Sequence, residues 1–356
     1  MFRKISLPVV FILVLGIGIL TPLFPAGAQE IAAPLYQVVS PVRENPKSDG
    51  VVVRSAELSA TEVGPAEVPA LIDELPLFLL AAARARGVSR LYGAEELRAK
   101  ALASPRMAGA DLVRAGLRSY LRYWCDSFRL PDRTAEQLSA TVRVVGDDAP
   151  RAELEGGRGV VCFLGHLGNW DTVGAWATHH LAPVTTVAER LKPEQLFNRF
   201  LAYRESLGMT ILPLTGGHPP FPTLVRTVHS GGLVPLLADR DLTDSGVEVT
   251  LCGHAARMAG GPAALALATG APLHPVTVTY EPAPTTDPGG TGRPDPASYG
   301  VVLTFAPAVA VPEDGTRAEK IQAMTQACAD VLGETLRTHT EDWHMMQKVF
   351  VADGIR

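Results

Sequence analysis

Between residues 159 and 343 short apolar runs alternate with longer amphipathic stretches. The runs "GVVCFLG", "PVTTVA", "MTILPL", "LVPLLAD", "VEVTL", "PLHPVTVTY" and "YGVVLTF" have the length and apolar content of strands. Between them "NWDTVGAWATHHLA", "KPEQLFNRFLAYRESLG", "FPTLVRTVHSGG" and "GPAALALATG" carry helical spacing, and "GTRAEKIQAMTQACADVLGETLRTHTEDW" closes the series as a long helix. Strands interleaved with helices predict an α/β fold, a mixed and mainly parallel sheet covered by helices on both faces. The Pro- and Gly-rich stretch "PAPTTDPGGTGRPDPAS" predicts a surface loop before the last strand.

The chain ahead of this region has a different texture. "MFRKISLPVVFILVLGIGILTPLFPAGAQE" sets Arg3 and Lys4 before an apolar core and Ala26-Gly27-Ala28 after it, the layout of a secretory signal peptide. The apolar run from Leu7 to Phe24, broken by Pro22, also approaches the length of a membrane span, so residues 1–28 fit either a signal-like segment or an anchor. Residues 29–64, rich in Pro, Ser, Glu and Val without a sustained period, predict a poorly ordered linker. Residues 65–356 then make one domain: helices over 65–130 form a membrane-proximal part and precede the α/β part over 155–350.

Within "AGADLVRAGLRSYLRYWCDSF", Val113, Leu117, Tyr120, Leu121 and Trp124 share one helical face, while Arg114, Arg118 and Arg122 recur every four residues on another. Such a helix fits two readings. One is a lipid-interface helix with its arginines at anionic headgroups and Trp124 at the boundary; the other is a helix packed on the main domain with a solvated basic face. From Arg84 to Arg129 ten basic residues stand against four acidic ones. That local excess suits a negatively charged surface, whereas the whole chain, at net charge -5 and pI near 6.0, argues against a nucleic-acid protein. Cys125, Cys162, Cys252 and Cys328 form no C-x-x-C pair, which predicts buried reduced thiols. His179-His180 has no ligand spacing relative to His166, and no metal is expected.

Ligands of open α/β sheets bind beyond the carboxyl ends of strands, and two such ends carry ionisable residues. "GHLGNWD" follows "GVVCFL", and Asp239-Arg240-Asp241 follows "LVPLLA". His166 is placed as a general base, with Asp171 in the first turn of the next helix as the carboxylate that fixes its ring. A polar loop ending in a helix cap is the plainer reading of the same residues. Gly165 and Gly168 allow close backbone approach of a substrate. On the 193–207 helix, Phe197, Phe200 and Leu201 lead an apolar stripe whose next position is Arg204. An arginine facing the core needs an anion, either Glu205 or Asp239 from the protein or the phosphate of a substrate.

"GHLGNWD", "AERLKPEQLFNRFLAYRESLGMTILPLTGG", "LLADRDLTDSGVEVTLCGHAARMAGGPAALALATGAPLHPV" and "DWHMMQKVF" together resemble the bacterial lipid A biosynthesis acyltransferase family, and within it the actinobacterial phosphatidylinositol mannoside acyltransferases. The resemblance runs from about Ala110 to Phe350. It implies a glycerolipid acyltransferase-like fold and transfer of a fatty acyl group from acyl-CoA, a co-substrate with no further cofactor, to a sugar hydroxyl of a membrane glycolipid. His166 and Asp171 match the family's H-x-x-x-x-D, and Asp239, before R-D-L, matches an acidic residue thought to relay charge with the histidine, for which the branch uses the longer Glu. Glu189, Arg190, Arg204 and Arg240 match positions for donor or acceptor phosphates, and Gly165 and Asn169 flank the histidine on the substrate side. Since acyl-CoA is cytoplasmic, the resemblance implies the cytoplasmic face of the cell membrane, against the export reading of residues 1–28. Two rival functions stand beside it: a secreted lipid esterase, for which no G-x-S-x-G nucleophile elbow occurs, and a non-catalytic lipid-binding protein.

Overall fold

A computed structural model describes residues 62–63, 90–91, 110–191, 194–241, 246–282, 299–345 and 349–351. The signal-like or anchor segment lies outside these residues, as does the surface loop at 283–298. So do the linker apart from Glu62–Val63 and the 65–109 helices apart from Arg90–Leu91. The chain divides into two units, residues 1–96 with 191–197, and residues 97–190 with 198–356. In the first, two short strands, β1 (Glu62–Val63) and β2 (Arg90–Leu91), pair in parallel.

The second unit opens with helix α1 (Ala110–Arg129), then α2 (Ala135–Thr141), β3 (Val142–Val145) and α3 (Asp148–Glu155). The expected alternation follows: β4 (Val160–Leu164), α4 (Trp170–His180), β5 (Thr185–Ala188), α5 (Glu194–Ser206, in this unit from residue 198), β6 (Thr210–Pro213), α6 (Phe221–His229) and β7 (Leu233–Leu237). A hairpin of β8 (Val247–Leu251) and β9 (His254–Met258) precedes α7 (Gly261–Thr269), β10 (Leu273–Pro282), β11 (Tyr299–Phe305) and α8 (Arg317–His339). Three of these elements, α2, β3 and α3, stand where the sequence pattern predicts none, and β9 is likewise unforeseen. A signal for α2 was present: Thr134 and Gln137 close a capping box at its start.

The main sheet has the order β3-β11-β10-β4-β7, parallel except for the β10–β11 pair. This is the mixed, mainly parallel sheet that the alternation predicts. All five residues of β4 are buried because both faces of the strand are covered. Val161 and Phe163 join a core with Leu265 of α7 and Leu332 of α8, whereas Val160, Cys162 and Leu164 join another with Val173 and Trp176 of α4. Each such side chain contributes about 1.5–3 kcal/mol of burial free energy before chain entropy is counted. Strand β4 is thereby fixed against both slippage and rotation.

Strands β4 and β7 are parallel neighbours in a register that sets Leu164 beside Leu237. Two residues beyond each partner stand His166 and Asp239. Between His166 and α4 the chain passes through the left-handed region at Gly168, with φ at +61° and its backbone against the Val278 carbonyl. A Cβ there would lie 2.4 Å from the Val278 oxygen. Gly168→Ala is therefore expected to destabilise the protein by roughly 1–3 kcal/mol in urea unfolding. An unchanged midpoint would show that the loop accommodates a side chain there.

Candidate active site

His166 and Asp239 meet at the carboxyl edge of the sheet. Nδ1 of the imidazole stands 2.6 Å from Oδ1 of Asp239, and the His166 backbone N–H donates to Oδ2 at 2.8 Å. Because a carboxylate only accepts, Nδ1 carries a proton, and in the neutral ring Nε2 has the lone pair. The Asp239 side chain is fully buried, while that of His166 keeps 20% of its surface exposed. Burial alone would raise the Asp239 pKa. The positive charge of His166 when its ring is protonated, with hydrogen bonds from that ring, from the Trp343 indole and from the His166 backbone, outweighs burial and holds the carboxyl below its ordinary range.

The partner of the His166 ring is thus Asp239, not Asp171 as the spacing suggested. Asp171 is buried in the first turn of α4 and accepts from the Tyr123 hydroxyl at 2.8 Å and from Arg204 Nε at 2.8 Å. These donors come from α1 and α5, so the carboxylate ties three helices together. Arg204 finds its protein anion in Asp171 rather than in Glu205 or Asp239. Burial and then the Asp171 charge push the Tyr123 hydroxyl pKa well above its usual value, so it stays a donor.

Residues 342–344 close the site from the far end of the chain, and sequence reasoning gave them no role. The Asp342 carbonyl accepts from Gly168 N–H at 2.9 Å, and His344 N–H donates to the His166 carbonyl at 2.7 Å. Between them Trp343, wholly buried, donates its indole N–H to Asp239 Oδ2 at 2.8 Å. The Asp342 carboxylate accepts from Ser119 of α1 and from Tyr280 N–H of β10. The signal that could have found them was an acid and a tryptophan beside a histidine just after the last helix.

Under α4 lies a cavity lined largely by apolar side chains that include Leu164, Val173, Met209, Leu233 and Phe305. Arg204 and Asp171 supply its charged wall as a neutralised pair. Trp170 lines it too, and its ring stands edge-on to His166 with centroids 5.5 Å apart. One aromatic side chain therefore touches both the dyad and the cavity.

Other expected site residues fall into two groups. Glu189, after β5, and Arg240, beside Asp239, form an ion pair at 3.3 Å, and Arg190 donates to the Gly216 carbonyl in the loop after β6. All three stay at the edge that carries His166. Asn169, by contrast, is buried and caps α4, its Oδ1 accepting from Thr172 N–H at 2.9 Å. The close approach allowed by Gly165 is to the protein itself: a Cβ there would lie 3.0 Å from Leu332 and 3.4 Å from Asp239 Oδ2.

Along α1, Arg118 is exposed but Arg122 lies 4.9 Å over the Tyr280 ring, and Trp124 packs among Tyr120, Tyr123, Phe128 and Phe200. Arg122 and Trp124 are thus partly buried against the protein. The side chain of Arg114 lies outside the described residues. His180 is bonded to Ser139 and the Trp176 carbonyl. Of the four cysteines, Cys162 and Cys328 are buried as expected, whereas Cys125 is exposed and Cys252 half-buried.

Breaking the Asp171–Arg204 pair on one side strands a charge in the interior. Asp171→Asn is expected to cost about 3–5 kcal/mol in urea unfolding, and the double variant Asp171→Asn/Arg204→Met to recover part of it. A single-variant loss below about 1 kcal/mol would show that the pair is not a structural tie.

The family model for bacterial lipid A biosynthesis acyltransferases matches residues 105–351. A phosphatidylinositol mannoside acyltransferase of Mycolicibacterium smegmatis is 42% identical over 276 residues, which cover 76% of this chain and 84% of the relative. One from Mycobacterium tuberculosis is also 42% identical over 276 residues, covering 76% of this chain and 81% of its own length. Among solved structures, the 1-acyl-sn-glycerophosphate acyltransferase PlsC from Thermotoga maritima aligns with 67% of this chain and 88% of its own, at 15% identity and a TM-score of 0.30. The length of the family match and the identity to the two mycobacterial enzymes establish that the chain belongs to the bacterial lipid A biosynthesis acyltransferase family.

Proposed function

We propose that this acyltransferase moves a fatty acyl group from acyl-CoA to a sugar hydroxyl of a membrane glycolipid, a mannose of a phosphatidylinositol mannoside, with His166 as general base. The observation that carries the reading is the His166–Asp239 dyad set beside an apolar cavity through Trp170. With Nδ1–H held by Asp239, Nε2 takes the proton of the acceptor hydroxyl as its oxygen attacks the thioester carbonyl carbon. The tetrahedral intermediate collapses with cleavage of the carbon–sulfur bond, and the protonated Nε2 returns the proton to the departing thiolate. Asp239 stabilises the imidazolium that exists between these steps.

The apolar lining of the cavity suits it to an acyl chain. Arg190 and Arg240 stand at the same edge, where phosphates of donor or acceptor would be held. The mechanism uses no metal and no resident cofactor. The reading places the enzyme at the cytoplasmic face of the cell membrane, where acyl-CoA is available. No described helix is long and apolar enough to cross a membrane. The basic helix α1 offers exposed residues such as Arg118 and Arg129 for contact with an anionic bilayer.

Thiol release from acyl-CoA in the presence of phosphatidylinositol mannoside tests the reading. The parent enzyme is expected to release thiol only with the acceptor. Hydrolysis without acceptor would make it an esterase, and binding without thiol release a lipid carrier. His166→Ala should lower turnover by about 10²–10⁴-fold and Asp239→Asn by at least tenfold, with the fold retained by circular dichroism. Activity of His166→Ala within a few-fold of the parent would remove the base from the mechanism. Replacing Arg118 and Arg129 by Gln should weaken binding to anionic vesicles about thirtyfold at low salt while leaving turnover on a soluble short-chain acceptor near the parental rate. Equal vesicle affinity would make α1 an ordinary solvated helix.

A further inference from the structure

We propose that Trp343 is a positioning residue of the dyad: its indole N–H locks the Asp239 carboxylate and draws off part of its charge, which sets how firmly the imidazole holds an added proton. The inference rests on the reading of His166 as general base. Asp239 is wholly buried and receives three hydrogen bonds, two from His166 itself and one from Trp343. Among the described residues the indole is the donor that does not belong to the base. Without it the carboxylate is held only by the residue it is meant to orient.

Trp343 is built to stay in place. It is fully buried, bridges to Leu167 in antiparallel fashion, and lies edge-on to Phe350 with centroids 6.4 Å apart. The residues on either side bond the backbone of the His166 loop, through Gly168 and through the His166 carbonyl. The Asp342 side chain anchors the segment to α1 and β10. Four strands of evidence, burial, bridge and two flanking bonds, thus fix the indole relative to the very loop that carries the base.

The sense of the electrostatic effect follows from charge. With a neutral imidazole the dyad carries one negative charge, and with a proton added it carries none. A donor to the carboxylate favours the negative form, so removing the donor makes the dyad take up its proton at higher pH. The other groups around it are left as they are: Arg240 paired with Glu189, Asp241 accepting from Gly246 N–H, Asp171 paired with Arg204, and His344, whose ring meets Trp170.

Two variants separate the N–H from the shape of the ring. Trp343→Phe removes the donor and some volume; site-specific replacement of Trp343 by β-(3-benzothienyl)alanine keeps the bicyclic shape and substitutes sulfur for N–H. In both, kcat for acyl transfer should fall about tenfold with KM within twofold, and the acid limb of the pH–rate profile should move up by about one unit. Proton uptake by the dyad, followed by NMR of the His166 ring, should move in the same direction. That readout needs no turnover, so it tests Trp343 even if acyl-CoA proves not to be the donor, in which case the parent enzyme itself shows no thiol release. If Trp343→Phe fails to fold, the isosteric replacement decides. Parental kcat and an unmoved profile in the benzothienyl protein would overturn the proposal, as would a rate loss with neither the profile nor the ring titration displaced.

Discussion

The parallel ladder between β4 and β7 is the constraint on which the site depends. It sets Leu164 beside Leu237, and two residues past each partner it leaves His166 and Asp239 facing one another at the sheet edge. The two are far apart in sequence, so no local preference of either segment brings them together. Burial of β4 on both faces does, because a slip by one residue would turn Val161 and Phe163 out of one core and Cys162 and Leu164 out of the other. The free energy of the core is thereby converted into the position of one hydrogen bond.

Around that bond the protein separates its two buried carboxylates by task. Asp239 accepts from His166 at the carboxyl edge of the sheet, while Asp171 is spent on Tyr123 and Arg204 and ties α1 and α5 to α4. Neutralising Asp171 with Arg204 has a second consequence. It allows both to line a largely apolar cavity without a net charge. The C-terminal residues 342–344 then clamp the loop between His166 and α4 from outside the sheet.

Much of this was written in the local sequence. The apolar runs of β4, β7 and β10 and the helical spacing of α4, α5 and α8 identify the α/β class, and the rule that ligands sit beyond strand ends picks out His166 and Asp239. Spacing alone pointed to Asp171 and only the family resemblance to Asp239, because H-x-x-x-x-D crosses Gly168 in a left-handed conformation and Asp171 ends up facing α1 and α5. Pairing in space, which sequence spacing does not encode, gave Asp239 the role instead. Trp343 was hidden for the same reason: its indole reaches the dyad from a segment whose sequence reads as the tail of a helix. The short elements α2, β3 and α3 escaped notice because a four-residue edge strand between brief helices carries little periodicity.

The central claim is that the ring of His166 is held through Nδ1 by Asp239 and presents an unprotonated Nε2 to the substrate. Nitrogen-15 NMR of the histidine rings above the dyad's titration measures it directly. The account predicts a protonated Nδ1 and a bare Nε2 for His166, with a low-field Nδ1 proton that disappears in Asp239→Asn and survives in Asp171→Asn. A ring protonated on Nε2, or a low-field proton lost with Asp171 and kept without Asp239, would contradict it.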